Sequence, residues 1–342
     1  MGIRSLAGTI IRRRQPEPQS SQGGYIRHEP NPEAAEPVGE FTLCAVVKTW
    51  MDEDVIEATI RSAMAQGADV VYVVDNASTD NTVRTAKLAG AHVAEVYPTR
   101  VFDGRLAQTL MNAVVARESV RHGAEHVWWL YLDSDEFPEG PAGLSIREYL
   151  ATLDRRFRAV GATYVNHLPS GKPQYLPGYH PIDFQPLCYD FVPARWPPCT
   201  FGHWKHPLQR LDANGRFVLS NEGAHTAFCN ELLVAPTGGI LTHHFQYRDE
   251  DITRAKLELT CGPGSSRTAL HESTGFDGFV RRRASLDAVY AGRWAEVETI
   301  PNVDPAAVRY PREWPGLSSV RRWYSQSDLA AARLHESTAL PQ

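Results

Sequence analysis

From Phe41 to Asp133 the chain alternates a short apolar run with a helix-length segment about every twenty-five residues, a rhythm that few architectures accept. The runs TLCAVVK (42–48), VVYVV (70–74), HVAEVYP (92–98) and HVWWLYLD (126–133) read as strands. Their near-continuous hydrophobicity predicts burial on both faces. Between them, DEDVIEATIRSAMAQG places Val55, Ile56, Ile60, Ala63 and Met64 at helical spacing, with Gly67 as a stop. NASTDNTVRTAKLAG starts at Thr79 or Asp80 and ends at Gly90, and Asp103 opens a long amphipathic segment closed by Gly123. Strands joined through helices in this way form right-handed parallel units. The expected fold is therefore α/β: a Rossmann-like, mostly parallel sheet with helices on both faces. Ligands of such sheets bind outside the carboxyl ends of the strands.

After Gly143 the pattern changes. Ser145 to Glu148 forms a capping box for a short helix, and GATYVNHL (161–168) reads as a strand. Residues 169–207 are rich in Pro and aromatics without periodicity. LQRLDANGRFVLS (208–220) predicts a hairpin turning at Asn214-Gly215. ILTHHFQY (240–247) ends another strand, and DEDITRAKLELT after it is a helix with acids in its first turn. Residues 1–39, rich in Pro, Gln, Ser and Glu, predict a flexible arm. The expected organisation is that arm, a main domain over 40–260 divided near residue 140, and a helical or irregular extension over 261–342.

The 342 residues, 42% of them hydrophobic, suffice for a full core. A net charge of -5 argues against a nucleic-acid partner, which calls for a basic face. The five cysteines include no C-x-x-C pair, which points to a reduced, cytoplasmic protein without a disulfide framework. No apolar run near the start is long enough for a signal sequence or a membrane span.

The stretch WWLYLDSDEF concentrates the chemistry, because a buried strand ends there in three acids. Asp133 and Asp135 lie two apart, so on an extended strand end they point to the same side, roughly 6 to 7 Å apart along the backbone. At an effective dielectric of 20, two carboxylates at about 6 Å repel by roughly 3 kcal/mol. The nearest basic residues in sequence, Arg121 and Arg147, are remote. A divalent cation, Mn2+ or Mg2+, removes the penalty, and such ions complete their shells with phosphate oxygens and water, which implies a diphosphate ligand. His243 and His244 end a later strand, and alternation turns one of them toward the site. Asp75, ending the second strand, either accepts from a base N–H or ribose hydroxyl or closes an Asx turn. Lys205 and Arg210 are candidates for neutralising diphosphate charge.

Taken together, VVK (46–48), QGADVVYVVDNASTDNT (66–82), WWLYLDSDEF (128–137) and THHFQYRDEDITRAK (242–256) resemble the family 2 glycosyltransferases, in the branch whose D-x-D extends to D-x-D-E-F. The resemblance implies the GT-A fold, a nucleotide-diphosphate sugar donor, a divalent cation and, usually, inversion at the anomeric carbon. It implies nucleotide-sugar contacts from Val47, Lys48, Asp75, Asn76, Asp133, Ser134 and Lys205. Asp75 would meet the base and Asp133 the ribose or sugar. Asp133 and Asp135, with His243 or His244, would form the metal set. For the base that deprotonates the acceptor, Glu222 and Asp190 are the leading candidates, followed by Glu231 and His225. The first strand departs from the family's usual Asn-Glu exit and runs Lys48-Thr49-Trp50-Met51-Asp52-Glu53 instead. The rival functions are a nucleotidyltransferase or sugar-phosphate transferase using the same D-x-D, and a non-catalytic nucleotide-binding homologue.

Overall fold

The structure is a computed structural model and describes residues 39–99, 103–169, 180–183, 185, 187–190, 205–210, 219–220, 227–228, 240–261 and 286–293. The N-terminal arm, most of the C-terminal extension, Glu222, His225 and Glu231 lie outside them. In chain order the strands are β1 (Thr42–Thr49), β2 (Val70–Asp75), β3 (His92–Val96), β4 (Val127–Asp133), β5 (Glu136–Glu139), β6 (Ala159–Leu168), β7 (Leu187–Asp190), β8 (Lys205–Gln209), β9 (Leu219–Ser220), β10 (Ala227–Phe228) and β11 (Ile240–His244). The helices are α1 (Ile56–Ala65), α2 (Thr82–Leu88), α3 (Gly104–His122), α4 (Ile146–Thr152) and α5 (Glu250–Cys261).

Nine strands form one mixed sheet in the order β3-β2-β1-β4-β8-β6-β11-β5, with β7 paired to β6. β1, β2, β3 and β4 are mutually parallel. β8 runs against both β4 and β6, so β6, and β11 parallel to it, point the same way as the first four. The mostly parallel α/β reading therefore holds, and the second half adds β5, β7 and β8 as reversed strands. The carboxyl ends of β1, β2, β4, β6 and β11 meet at one edge, and β8 begins there with Lys205.

The two faces of β1 explain its unbroken hydrophobicity. Leu43, Ala45 and Val47 pack with Ile56 and Ile60 of α1 and with Ile146 and Leu150 of α4. Cys44 and Val46 pack with Met111, Val114 and Val115 of α3 on the other side. Trp129 and Tyr131 join this second layer, and their polar tips reach Ser119 Oγ (2.7 Å) and Asn112 Oδ1 (3.0 Å) on α3. Each such fully buried apolar side chain contributes about 1.5–3 kcal/mol over its exposed state.

The local signals at the helix ends carry through. The Asp103 side chain accepts from Arg105 N and Leu106 N to cap α3, and Gly123 ends it at φ 79°. Ser145 and Glu148 form the reciprocal capping box of α4. Gly67 stops α1 at φ 96°, and a Cβ there would lie 2.5 Å from the Arg147 Cβ, so two separate constraints require glycine.

The described residues add two features to this reading. The hairpin expected over 208–220 falls mostly outside the described residues, and its described ends pair elsewhere: β8 lies between β4 and β6, while β9 pairs with β10 in a small separate sheet. Its Asn214-Gly215 turn lies outside the described residues. The second is the unforeseen strand β5, which begins immediately after the D-x-D and pairs with β11 at the far end of the strand order. Asp133 to Glu136 is three residues, a reach of at most about 10–11 Å. Four strand spacings across a flat sheet would require roughly 19 Å. The sheet from β4 to β5 must therefore curl, and the curl carries β11 round to face the end of β4.

Candidate active site at the carboxyl edge

Strand register builds the site from the backbone outward. Asp75 lies opposite Thr49, and Asp133 opposite Lys48, so both acids flank the end of β1. On the curled side His244 pairs with Asn166 of β6 and Glu136 of β5.

Asp133 is held by two lysines from other strands. Lys48 Nζ is 2.9 Å from Oδ1 and Lys205 Nζ 3.5 Å from Oδ2. Lys205 is buried, forms a short ion pair with the buried Glu136, and lies 5.2 Å from the centre of the Tyr164 ring. Burial works to raise the Asp133 pKa, but Lys205 and Lys48 outweigh it and hold the carboxyl well below its ordinary range. For Glu136 the balance is reversed: burial, helped by Asp133, raises its pKa against the pull of Lys205. Burial alone would discharge Lys205, yet the two carboxylates keep it protonated. The charge that looked uncompensated in sequence is thus met at Asp133 by lysines from β1 and β8.

Asp135 faces the other way. Its Oδ2 is 3.8 Å from His244 Nε2, and both side chains are about a quarter exposed. Asn166 Oδ1 accepts from His244 Nδ1 at 2.7 Å, which orients the ring and turns Nε2 toward Asp135. Phe245 N donates to the Asp135 carbonyl at 2.9 Å and pins the two loops together.

His243 occupies a separate, buried environment. His167 donates through Nδ1 to the Gln185 carbonyl (2.7 Å), so its Nε2 accepts from His243 Nδ1 (2.9 Å). Burial lowers the His167 and His180 pKa values well below the usual histidine range, and these rings are neutral at physiological pH. His243 Nε2 lies 3.8 Å from Glu139 Oε1, which is equally buried. Of the two histidines, His244 is the one at the open edge.

Asp75 has no exposed surface, and its two oxygens accept from Ser78 N (2.9 Å) and Ser78 Oγ (2.6 Å). Burial raises its pKa, with the Ser78 bonds opposing. Asn76 is buried and accepts from Thr99 N and Oγ1. Val47 is core, and Ser134 is buried with its hydroxyl donating to Asp52 Oδ2 at 2.6 Å. Asp190 closes β7 in register with Val165.

Asp52 is the residue that sequence reasoning passed over. Buried at the exit of β1, it accepts from Thr49 Oγ1 (2.9 Å) and Trp50 N (3.0 Å) beside Ser134, while its other oxygen meets Arg248 (2.6 Å) and Lys256. Burial works to raise its pKa, but Lys256 and Arg248 outweigh it and hold the carboxyl well below its ordinary range. Arg248 also reaches Asp54 at 2.6 Å. The only local signal was the acid run Asp52-Glu53-Asp54, which reads equally well as the first turn of a helix.

Asp135 and His244 are a nitrogen and oxygen donor pair, partly open to solvent, with the His244 ring oriented from behind by Asn166, and this fits a divalent cation that takes its remaining ligands from a substrate. Among the described residues, no group of three or more His, Cys, Asp or Glu is placed to hold a metal without such help.

No family model matches the chain, and no curated protein matches it. Among solved structures it is similar to glucosyl-3-phosphoglycerate synthase from Mycobacterium tuberculosis. In complex with Mn2+, uridine diphosphate and glucosyl-3-phosphoglycerate, that enzyme gives 21% identity over 36% of this chain and 44% of that one, with a TM-score of 0.25. Its complex with Mg2+ and uridine diphosphate gives 22% identity over 36% and 44%, with a TM-score of 0.26. A structure described as a mycobacterial protein gives 23% identity over 37% and 42%, with a TM-score of 0.26. The chain spans less than half the length of each of these.

Proposed function

We propose that this chain is a metal-dependent glycosyltransferase that moves a sugar from a nucleotide-diphosphate donor to an acceptor. The observation that carries the reading is the convergence of Asp135 and His244 at the carboxyl edge, with the His244 ring fixed by Asn166. Those two residues would hold Mn2+ or Mg2+. The cation, when bound, would act as a Lewis acid toward the departing nucleotide diphosphate.

The protein's own groups divide the remaining work. Lys48, partly exposed beside Asp133, supplies positive charge toward the diphosphate, while Lys205 keeps Asp133 ionised and fixed from below. Asp133, with 29% of its side chain exposed, contacts the donor's ribose or sugar. Asp75, whose oxygens are taken by Ser78, shapes the turn that borders the base. Asp190 and Glu222 remain the candidates for deprotonating the acceptor, and the reaction would proceed by direct displacement with inversion. Among the described residues no helix is long and apolar enough to cross a membrane.

The test is thermal unfolding with uridine or guanosine diphosphate, with and without Mn2+. Stabilisation is expected only when nucleotide and metal are both present, and it disappears in Asp135→Ala and His244→Ala. Metal-dependent stabilisation that survives in both variants rules out the site. Incubation with nucleotide sugars then separates the reaction classes: a glycosyltransferase releases nucleoside diphosphate, and a nucleotidyltransferase pyrophosphate.

A further inference from the structure

Two loops must meet for Asp135 and His244 to face each other, one leaving β4 and the other leaving β11, and these strands are not neighbours in the sheet. Asp52, from a third loop, touches both. Its Oδ2 accepts from Ser134 Oγ at 2.6 Å, between Asp133 and Asp135, and its Oδ1 takes Arg248 at 2.6 Å, four residues beyond His244. Thr59 of α1 adds a short hydrogen bond to the Ser134 carbonyl, and Arg248 extends the link to Asp54.

We infer that Asp52 is a positioning residue for the cation site, setting the separation of Asp135 and His244 through Ser134 on one side and Arg248 on the other. This rests on the metal-site reading above. Several observations favour it over simple loop packing. The carboxylate is almost wholly buried, so it spends its charge on protein groups and not on solvent or substrate. Its oxygens are divided between the two loops, so each contact anchors one metal-bearing loop to the exit of β1, in addition to the Phe245 N to Asp135 carbonyl bond that joins the loops directly. The Ser134 side chain, central in D-x-D, points inward to Asp52 and leaves the flanking acids to point elsewhere. Partners that orient metal-binding side chains without touching the ion tune affinity strongly, and their loss typically costs about 10- to 100-fold.

The experiment measures Mn2+ affinity by electron paramagnetic resonance in the presence of uridine or guanosine diphosphate, alongside the melting temperature of each variant. Ser134→Ala removes one hydroxyl and is expected to fold. Asp52→Asn keeps the shape and removes the charge. Val115→Ala, in the α3 layer, is a control that lowers stability away from the edge. The expected result is Mn2+ binding weakened by about tenfold or more in Ser134→Ala and Asp52→Asn, with a broadened Mn2+ signal, and unchanged in Val115→Ala. Wild-type Mn2+ affinity in Ser134→Ala overturns the positioning role while leaving the metal site standing. If the wild-type protein binds no Mn2+ with either nucleotide, the metal site and the positioning role both fall.

Discussion

At the end of β2, Asp75 gives both carboxylate oxygens to Ser78, three residues on. At the end of β4, Asp133 gives its oxygens to Lys48 and Lys205 on two other strands, and Asp135, two residues later, looks out toward His244. The turns share an edge and a strand direction, but their charges are satisfied over different distances. A carboxylate closed by its own turn and buried there orders that turn alone. One neutralised from afar fixes several strands in place, and the acid beside it stays available.

The largest test of that contrast is Lys205→Met. Removing the buried ammonium leaves Glu136 and Asp133 without their shared partner, and breaking a buried pair of this kind costs about 3–5 kcal/mol. Urea unfolding would measure the loss, and adding Glu136→Gln should recover part of it. A cost under about 1 kcal/mol would mean that the lysine is not what holds the β4 end.

Asp75→Asn sharpens the comparison through a smaller effect of about 1 kcal/mol, with a pH signature. The Asp75 pKa is raised above its ordinary 3.8 in the folded state, so the folded protein takes up the proton first and stability rises as pH falls from the raised value toward 3.8. The part of that rise due to Asp75 should vanish in Asp75→Asn, leaving the part due to Glu136 and Asp54, whose pKa values burial also raises. Asp133 has the opposite sign: its folded pKa is lowered, so its contribution is present above 3.8 and is lost as pH falls below it. Urea titrations of wild type and Asp75→Asn between about pH 3 and 6 would resolve the difference. An identical pH dependence in the two proteins would break the assignment. The smallest effect belongs to Asp135→Ala. With its side chain facing solvent and His244, metal-free stability should stay within about 0.5 kcal/mol of wild type, although nucleotide-dependent stabilisation is lost.

Much of this was legible in sequence because it is local. The alternation from Phe41 onward, the Asp103 cap, the Gly67 and Gly123 stops and the Ser145 box each depend on residues a few positions apart. β5 was not legible, since Glu-Phe-Pro-Glu is four residues with two acids and a proline, and its strand character comes from pairing with β11. The D-x-D marked the candidate site but not the state of its charges, because Lys48 and Lys205 approach from other strands, Arg248 from the loop after β11 and Lys256 from α5. Asp52 has the same explanation. Choosing between His243 and His244 required knowing which face of β11 meets Asn166 and which meets His167.

The short connection from β4 to β5 has a further consequence. Exposed turns are ordinarily where a chain tolerates extra residues. Here Ser134 and Asp135 work as a drawstring, because their brevity keeps the last strand pulled back against the first turn of the site. One added residue would slacken it and let the sheet open, even with every side chain unchanged. A chain of this design can vary in length almost anywhere sooner than between Asp133 and Glu136, and inserting a single glycine there would test geometry without touching chemistry.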